Sequence, residues 1–422
     1  MVQIKPFKAI RPNEAAAKEV ASLPYDVLNS KEAREMASTN LKSFLHIDKA
    51  EIDLAEDQPP YAKEVYQKAA DNLKNFIEKQ WFQQDTTENF YIYQLIMNGR
   101  PQTGLVVCTA VEDYLDKKIK KHEFTRAEKE LDRINHVDTT DTNTSPIFLT
   151  YRENKTIDEV VNDWVAHYEP VYDFSSFHDV RHRVWVVDRE ETIEKLVALF
   201  AQKVKCLYIA DGHHRTESAV KVALKRRAQF PNAPVETEFN FFLSVLFPEN
   251  QLSIIDYNRV VNVPIEPDYF ERLAEAFTVY NKGVVPYKPK TAKTMGMYVA
   301  GQWYELKVKP DIQTNNPVKG LDVAILQDHI LTPIFDIQDI RTDKRIDFVG
   351  GIRGLKELAD AVDSGEFSVA FAMYPPTMED LLAVADSGEV MPPKSTWFEP
   401  KLLSGLFIHP LETDKQTAEK QK

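Results

Sequence analysis

The sequence predicts an α+β fold. An apolar run, Leu207-Tyr208-Ile209-Ala210, reads as a buried strand and feeds a helical pattern through Asp211-Gly212-His213-His214-Arg215. Paired apolar runs separated by turn residues recur around residues 90–111 and 295–308, and amphipathic helical stretches are mixed among the strands.

The elements follow in chain order. Asn29 or Ser30 caps a short helix at 31–38, and 61–80 has helical periodicity. The runs 90–97 and 103–111 flank Asn98-Gly99-Arg100-Pro101, a hairpin signal. A charged helix is expected over about 117–134, and the Thr/Asp/Asn-rich stretch 138–145 reads as a loop and subdomain boundary. Beyond it come a strand at 147–151, a helix at 157–166, a strand at 183–187 and a helix with Ile193, Leu196, Val197 and Phe200 in one stripe. After Arg215, Ala219, Val220, Ala223 and Leu224 share one helical face. Residues 239–247 and 253–260 read as a hairpin around Pro248-Glu249-Asn250, and 295–300 with 302–308 as another. Asp363-Ser364-Gly365-Glu366 and Asp386-Ser387-Gly388-Glu389 each close an amphipathic helix with glycine just past its end. The polar stretch 412–422 is expected to be disordered.

Composition narrows the function. Lys and Arg total 52 against 65 Asp and Glu, a net charge of −13 that repels polyanions, so nucleic acid is not an expected partner. The densest basic run, Lys117-Lys118-Ile119-Lys120-Lys121, is short. Two cysteines, Cys108 and Cys206, fit a reducing cytoplasm and lack metal-ligand spacing. No signal peptide and no apolar run of about 18 residues is present, so a membrane partner is not expected.

Four clusters offer chemistry. At Asp211–Arg215 a helix start supplies unpaired amides and partial positive charge, and Arg215 adds a planar fork suited to phosphate. The plainer alternative is a polar turn whose histidines cap the helix. His122-Glu123-Phe124-Thr125 offers a glutamate able to orient and deprotonate a hydroxyl, or merely a solvated helix residue. Met391–Lys401 is a proline-stiffened loop presenting Lys394, Ser395, Thr396 and Lys401, suited to phosphate or carboxylate capture or simply to a surface. Pro24-Tyr25-Asp26-Val27 is a compact turn to which spacing assigns no chemistry. Gly350-Gly351-Ile352-Arg353-Gly354 matches no phosphate loop, and Arg259 reads as an ordinary surface arginine. Walker, protein-kinase, nucleophile-elbow and zincin motifs are missing.

Together, Pro24-Tyr25-Asp26-Val27, Lys121-His122-Glu123-x-Thr125, Ala210-Asp211-Gly212-His213-His214-Arg215 and Met391–Lys401 resemble a prokaryotic family, domain of unknown function 1015, over nearly the whole chain. Three of these segments are also similar to the archaeal free serine kinases. The resemblance implies a ParB/sulfiredoxin-like catalytic core at 113–260. An N-terminal α/β region at 1–112 and a C-terminal α/β region at 261–411 flank it, with the tail at 412–422. It implies that Glu123 is the catalytic glutamate, that Asp211–Arg215 binds phosphate, and that 388–396 matches the C-terminal motif. The Glu123-to-Asp211 stretch is longer here than in the kinases, and the N-terminal region is extra. Where sulfiredoxins carry cysteine, this chain has His213, which argues against sulfinic-acid reduction.

The expectation is therefore a cytoplasmic, nucleotide-dependent kinase of a free hydroxy amino acid, L-serine foremost. ADP or ATP would be the donor and Mg²⁺ the metal, held by Asp211. Glu123, Asp211 and His214 are the expected catalytic residues; Gly212, His213, Arg215 and Thr216 would bind the nucleotide phosphates; His122, Lys394, Ser395 and Thr396 would bind substrate. The alternatives are a metal-dependent phosphohydrolase with Asp211, His213 and His214 as ligands, and a nucleotide-binding regulatory module without turnover.

Overall fold

Asn98 and Gly99 both take positive φ, 52° and 76°, which suits the twist of a two-residue hairpin turn. Phe90–Met97 and Arg100–Ala110 consequently pair antiparallel from Met97 opposite Arg100 onward. The turn is shorter than the four residues expected, because Arg100 and Pro101 already belong to the second strand. This hairpin lies within the first of two units in the computed structural model, which describes residues 1–412. Apart from Glu412, the expected tail lies outside the described residues. The first unit comprises 1–120, 125–252 and 400 onward; the second comprises 121–124 and 253–399.

Nine strands form the main sheet of the first unit: β1 (Ile4–Lys5), β2 (Phe90–Met97), β3 (Arg100–Ala110), β4 (Ile119–Lys120), β5 (Ile147–Tyr151), β6 (Tyr172–Ser175), β7 (Arg181–Val187), β8 (Leu207–Asp211) and β9 (Phe241–Pro248). Their order is β4-β8-β5-β9-β3-β2-β7-β6, with β1 also on β3. Only β4–β8 and β5–β9 are parallel, so the sheet is mixed. Strands β5 and β9 are buried at every position, as strands covered on both faces must be.

The helices used below are α1 (Ser30–Ala37), α2 (Lys63–Glu78), α3 (Ala127–Thr140), α4 (Lys155–His167), α5 (Glu190–Lys203) and α6 (His213–Gln229). Asn29 caps α1 in a reciprocal capping box with Glu32. Trp164 from α4, Leu196 and Phe200 from α5, Ala219 and Ala223 from α6 and Trp185 from β7 share the main core.

Three sequence expectations fail here. The charged helix does not span 117–134: Ile119–Lys120 pairs with β8 and α3 begins only at Ala127, because pairing to a buried strand overrides the helical propensity of a lysine run. Residues 138–145 are no boundary loop. They finish α3, and Thr142–Asn143 then pairs with His409–Pro410 inside the same unit. Leu224 is 42% exposed and so does not share the buried face of Ala219, Val220 and Ala223.

The second unit has a six-stranded antiparallel sheet of β10 (Tyr257–Val261), β11 (Phe277–Gly283), β12 (Thr294–Val299), β13 (Gln302–Val308), β14 (Ile346–Gly350) and β15 (Val369–Ala372), in the order β11-β13-β12-β15-β10-β14. The β12–β13 hairpin stands as expected, turning at Val299 opposite Gln302. The expected hairpin of 239–260 does not form. Strand β9 pairs with β3 and β5, whereas β10 pairs with β14 and β15 in the other sheet. Helices α7 (Gly354–Asp363) and α8 (Met378–Ser387) end at Gly365 and Gly388, with φ of 80° and 76°, as their sequences require. Among the described residues no helix is long and apolar enough to cross a membrane.

Candidate functional site

Strand β8 is buried from Leu207 to Ala210 and ends at Asp211. Gly212 then turns the chain with φ of +97°, a conformation L side chains rarely adopt. Helix α6 starts at once, so the turn carries its amides directly into a helix N-terminus. Thr216 closes the first turn: both its amide and its hydroxyl donate to the Gly212 carbonyl, at 2.9 and 3.0 Å. The Thr216 side chain is thus spent on holding the turn.

Asp211 is fixed from both sides. One carboxylate oxygen accepts the Gly212 amide at 2.8 Å, and the other accepts from Lys401 Nζ at 3.0 Å. Burial alone would raise this carboxyl, but Lys401 and Arg215 outweigh it and hold it well below the usual carboxylate range. A carboxylate depressed in the folded state contributes stability above its unfolded value near ~3.9, lost as pH falls through the folded value. Lys401→Met should therefore lower unfolding stability at pH 7 by roughly 1–3 kcal/mol, the cost of a stranded, partly buried polar group. The deficit should shrink only as pH falls below about 4. Urea unfolding across that range measures both.

Helices α3 and α6 run parallel and in register. The Arg126 amide, at the start of α3, donates to His214 Nε2 at 3.0 Å. The Ser218 hydroxyl donates to the Glu130 carbonyl at 3.0 Å, and Arg226 donates to the Asp138 carbonyl at 3.1 Å. Two helix N-termini therefore lie side by side, and their partial positive charges add at one end. Because His214 Nε2 accepts, its ring proton sits on Nδ1. His213 is buried, 7% exposed.

Arg215 behaves differently from the outward fork its sequence suggests. Its guanidinium donates to the Pro146 carbonyl and passes beneath Gly212, while its Nε has no partner. With Tyr25, Arg133, His136 and Ser145 it lines a narrow cavity. A recess of about 730 Å³ shares Tyr25, Arg133 and His136 and adds Asp26 and Lys129. The Tyr25 ring lies under the Arg133 guanidinium at 4.0 Å, and Arg133 pairs with Asp132 at 2.9 Å. The Pro24–Val27 turn, unassigned from spacing, is thus anchored by α3 and faces the inner side of the 211–215 turn. Nothing in its local pattern announces this, since the contact partners lie far along the chain.

In the second unit, His122 and Glu123 sit in an irregular segment ahead of α3 rather than within a helix. His122 is buried; its carbonyl accepts the Met391 amide at 2.8 Å, and its Nε2 lies 3.3 Å from the Thr396 hydroxyl. The substrate-binding residues expected at 122 and 394–396 are therefore brought together. Ser395 is buried and donates to the Pro392 carbonyl, and Lys394 Nζ stands 5.7 Å from the Tyr257 ring centroid. Gly350 and Trp397 pack closely, since a Cβ on Gly350 would lie 3.1 Å from the indole. The expected surface arginine, Arg259, is 1% exposed. It lies mid-sheet in β10, where the apolar neighbours of a buried strand give no hint of a guanidinium's surroundings.

A mixed sheet that delivers a carboxylate, a left-handed glycine and two aligned helix N-termini to one turn defines an α+β protein. The chain belongs to the family described as Protein of unknown function (DUF1015), whose profile matches residues 4–324. No curated protein matches it. Among solved structures, it is similar to a free serine kinase in complex with AMP, at 12% identity over 72% of this chain and 89% of that one, with a TM-score of 0.36. It is also similar to SbnI with C-terminal truncation from Staphylococcus aureus, at 12% identity over 75% and 94%, with a TM-score of 0.39. A conserved hypothetical protein from Pyrococcus furiosus matches at 17% identity over 73% and 96%, with a TM-score of 0.34.

Proposed function

We propose that the chain is a cytoplasmic kinase that transfers a phosphoryl group from ADP or ATP to a free hydroxy amino acid, L-serine foremost, giving O-phospho-L-serine. The observation that carries this reading is the paired N-terminal end of α3 and α6 around the Gly212 turn, backed by Lys401 and Arg215. Phosphoryl transfer asks mainly for positioning and charge neutralisation, because the charge of its loose transition state spreads over the phosphoryl oxygens.

In this reading residues 113–260 supply the catalytic core. Gly212, His213 and the amides of the first turn of α6 receive the donor phosphates, and His214 keeps that turn registered with α3. Arg215 and Thr216 hold the turn from within. Asp211 suits magnesium: it is a single ionised carboxylate with lone pairs beyond its two hydrogen bonds, and magnesium takes few protein carboxylates alongside phosphate oxygens. The metal would neutralise donor phosphate charge. Glu123 orients the acceptor hydroxyl and takes its proton late in the transfer. His122, Lys394, Ser395 and Thr396 bind the acceptor's carboxylate or the transferred phosphate.

A transition-metal hydrolase site at Asp211, His213 and His214 is less well supported, since the Arg126 amide already occupies His214 Nε2. The deciding experiment is incubation of the full chain with Mg²⁺, ADP or ATP and a panel of hydroxy amino acids, followed by phosphorus NMR. A new phosphomonoester is expected. Tight nucleotide binding with no phosphorylated acceptor would sink the kinase reading and favour a regulatory module. Arg215→Ala should weaken nucleotide binding by about tenfold or more, as loss of a charge-assisted contact behind the turn requires. An unchanged dissociation constant would remove Arg215 from the phosphate site.

A further inference from the structure

Lys394 is a non-glycine residue with φ of +59°, in the middle of the proline-stiffened loop. Side chains with a Cβ adopt that conformation only where something outside the residue holds it. In this loop the holder is identifiable. Arg259 Nη2 donates to the Lys394 carbonyl at 3.1 Å, and Arg259 Nη1 donates to the Tyr257 carbonyl. The guanidinium lies 5.5 Å from the Phe348 ring centroid and is 1% exposed.

Arg259 has no carboxylate partner among the described residues, and burial pulls it down to about 10. Burying an unpaired cation works against folding, and an apolar side chain of similar size would serve the core better. What the guanidinium supplies is a fixed peptide orientation and an uncompensated positive charge directly behind Lys394, Ser395 and Thr396.

We propose that Arg259 is a positioning residue: by gripping the Lys394 carbonyl it holds this peptide left-handed and so presents the 394–396 segment to an anionic group of the acceptor. The proposal rests on the reading of that segment as an acceptor-binding loop. Arg259 touches no reacting atom; it acts through the loop backbone.

The test compares the full-length wild type with Arg259→Met, Arg259→Lys and the double variant Arg259→Lys/Lys394→Gly. Amide hydrogen exchange at 391–398 and acceptor and nucleotide KM are measured for each. Arg259→Met should speed exchange in the loop by about tenfold or more while β12 and β15 stay protected. It should raise the acceptor KM by a similar factor with nucleotide KM unchanged. Arg259→Lys should fall between. Adding Lys394→Gly should restore part of the lost loop protection, because glycine reaches positive φ without the side-chain penalty. Unchanged loop exchange in Arg259→Met would overturn the proposal, as would faster exchange across the whole sheet with both KM values rising together. If Arg259→Met does not fold, the comparison of Arg259→Lys with the double variant decides: no recovery on adding glycine rejects the grip on Lys394. Wild type yielding no phosphomonoester would defeat the kinase reading alone, since the exchange measurements judge the positioning role without any substrate.

Discussion

Glu123→Gln should lower turnover by roughly 10²–10⁴-fold, the usual worth of a general base. The amide keeps the size and most of the hydrogen-bonding reach of the carboxylate and removes only its ability to take a proton. Nucleotide affinity should remain within about twofold, since on this account Glu123 acts on the acceptor hydroxyl and not on the donor phosphates. Titration calorimetry with ADP or ATP, alongside single-turnover formation of the phosphomonoester, separates the two quantities. Equal losses in binding and turnover would mean that Glu123 shapes the nucleotide site, and the base assignment would fall.

The second large effect is expected at Gly212. Its φ of +97° is strained for any L side chain, and an added Cβ would lie 3.2 Å from Arg215 Nε and 3.3 Å from Cζ. Arg215 is held by the Pro146 carbonyl and cannot swing freely away. Gly212→Ala should therefore cost roughly 1–2 kcal/mol of stability, the handedness penalty of such a backbone. It should also weaken nucleotide binding by about tenfold or more, as the displaced turn re-aims the first amides of α6. Gly365→Ala is the matched control. Gly365 has φ of +80° with nothing within 4 Å of an added Cβ, so alanine there would meet the backbone penalty alone. It should lose stability without changing nucleotide affinity. Denaturant unfolding and equilibrium binding of both variants distinguish strain from site geometry, and equal binding losses would show that the Gly212 turn has no special part in holding phosphate.

How much was legible in the sequence depended on how local the governing interaction is. The strand, turn and helix over 207–223, the Asn29 cap, the 295–308 hairpin and the glycine helix ends are set by neighbours in the chain, and they stand as read. Strand 119–120, the pairing of 241–248 and the burial of Arg259 depend on partners distant in the sequence. Periodicity has no access to those. The site shows the same division: the Gly212 conformation was implicit in the residue type, whereas Arg215 turning inward to Pro146 and Tyr25 stacking under Arg133 were not. Thr216 teaches a related point. A hydroxyl beside a polar strand-to-helix turn looks available on paper, yet the nearest carbonyl claims it.

The polypeptide leaves its first unit at residue 120, returns at 125, leaves again at 252 and comes back at 400. Any fragment cut at 324, where the family profile stops, would strip Lys401 from Asp211 and Ile408 from the cluster that packs Ile10, Phe44 and Phe82. Shortened expression clones ending there should be insoluble or lack nucleotide affinity, whatever their substrate. For this chain the minimal folded piece is set by the closing stretch that re-enters the first sheet's unit, not by where the family profile stops.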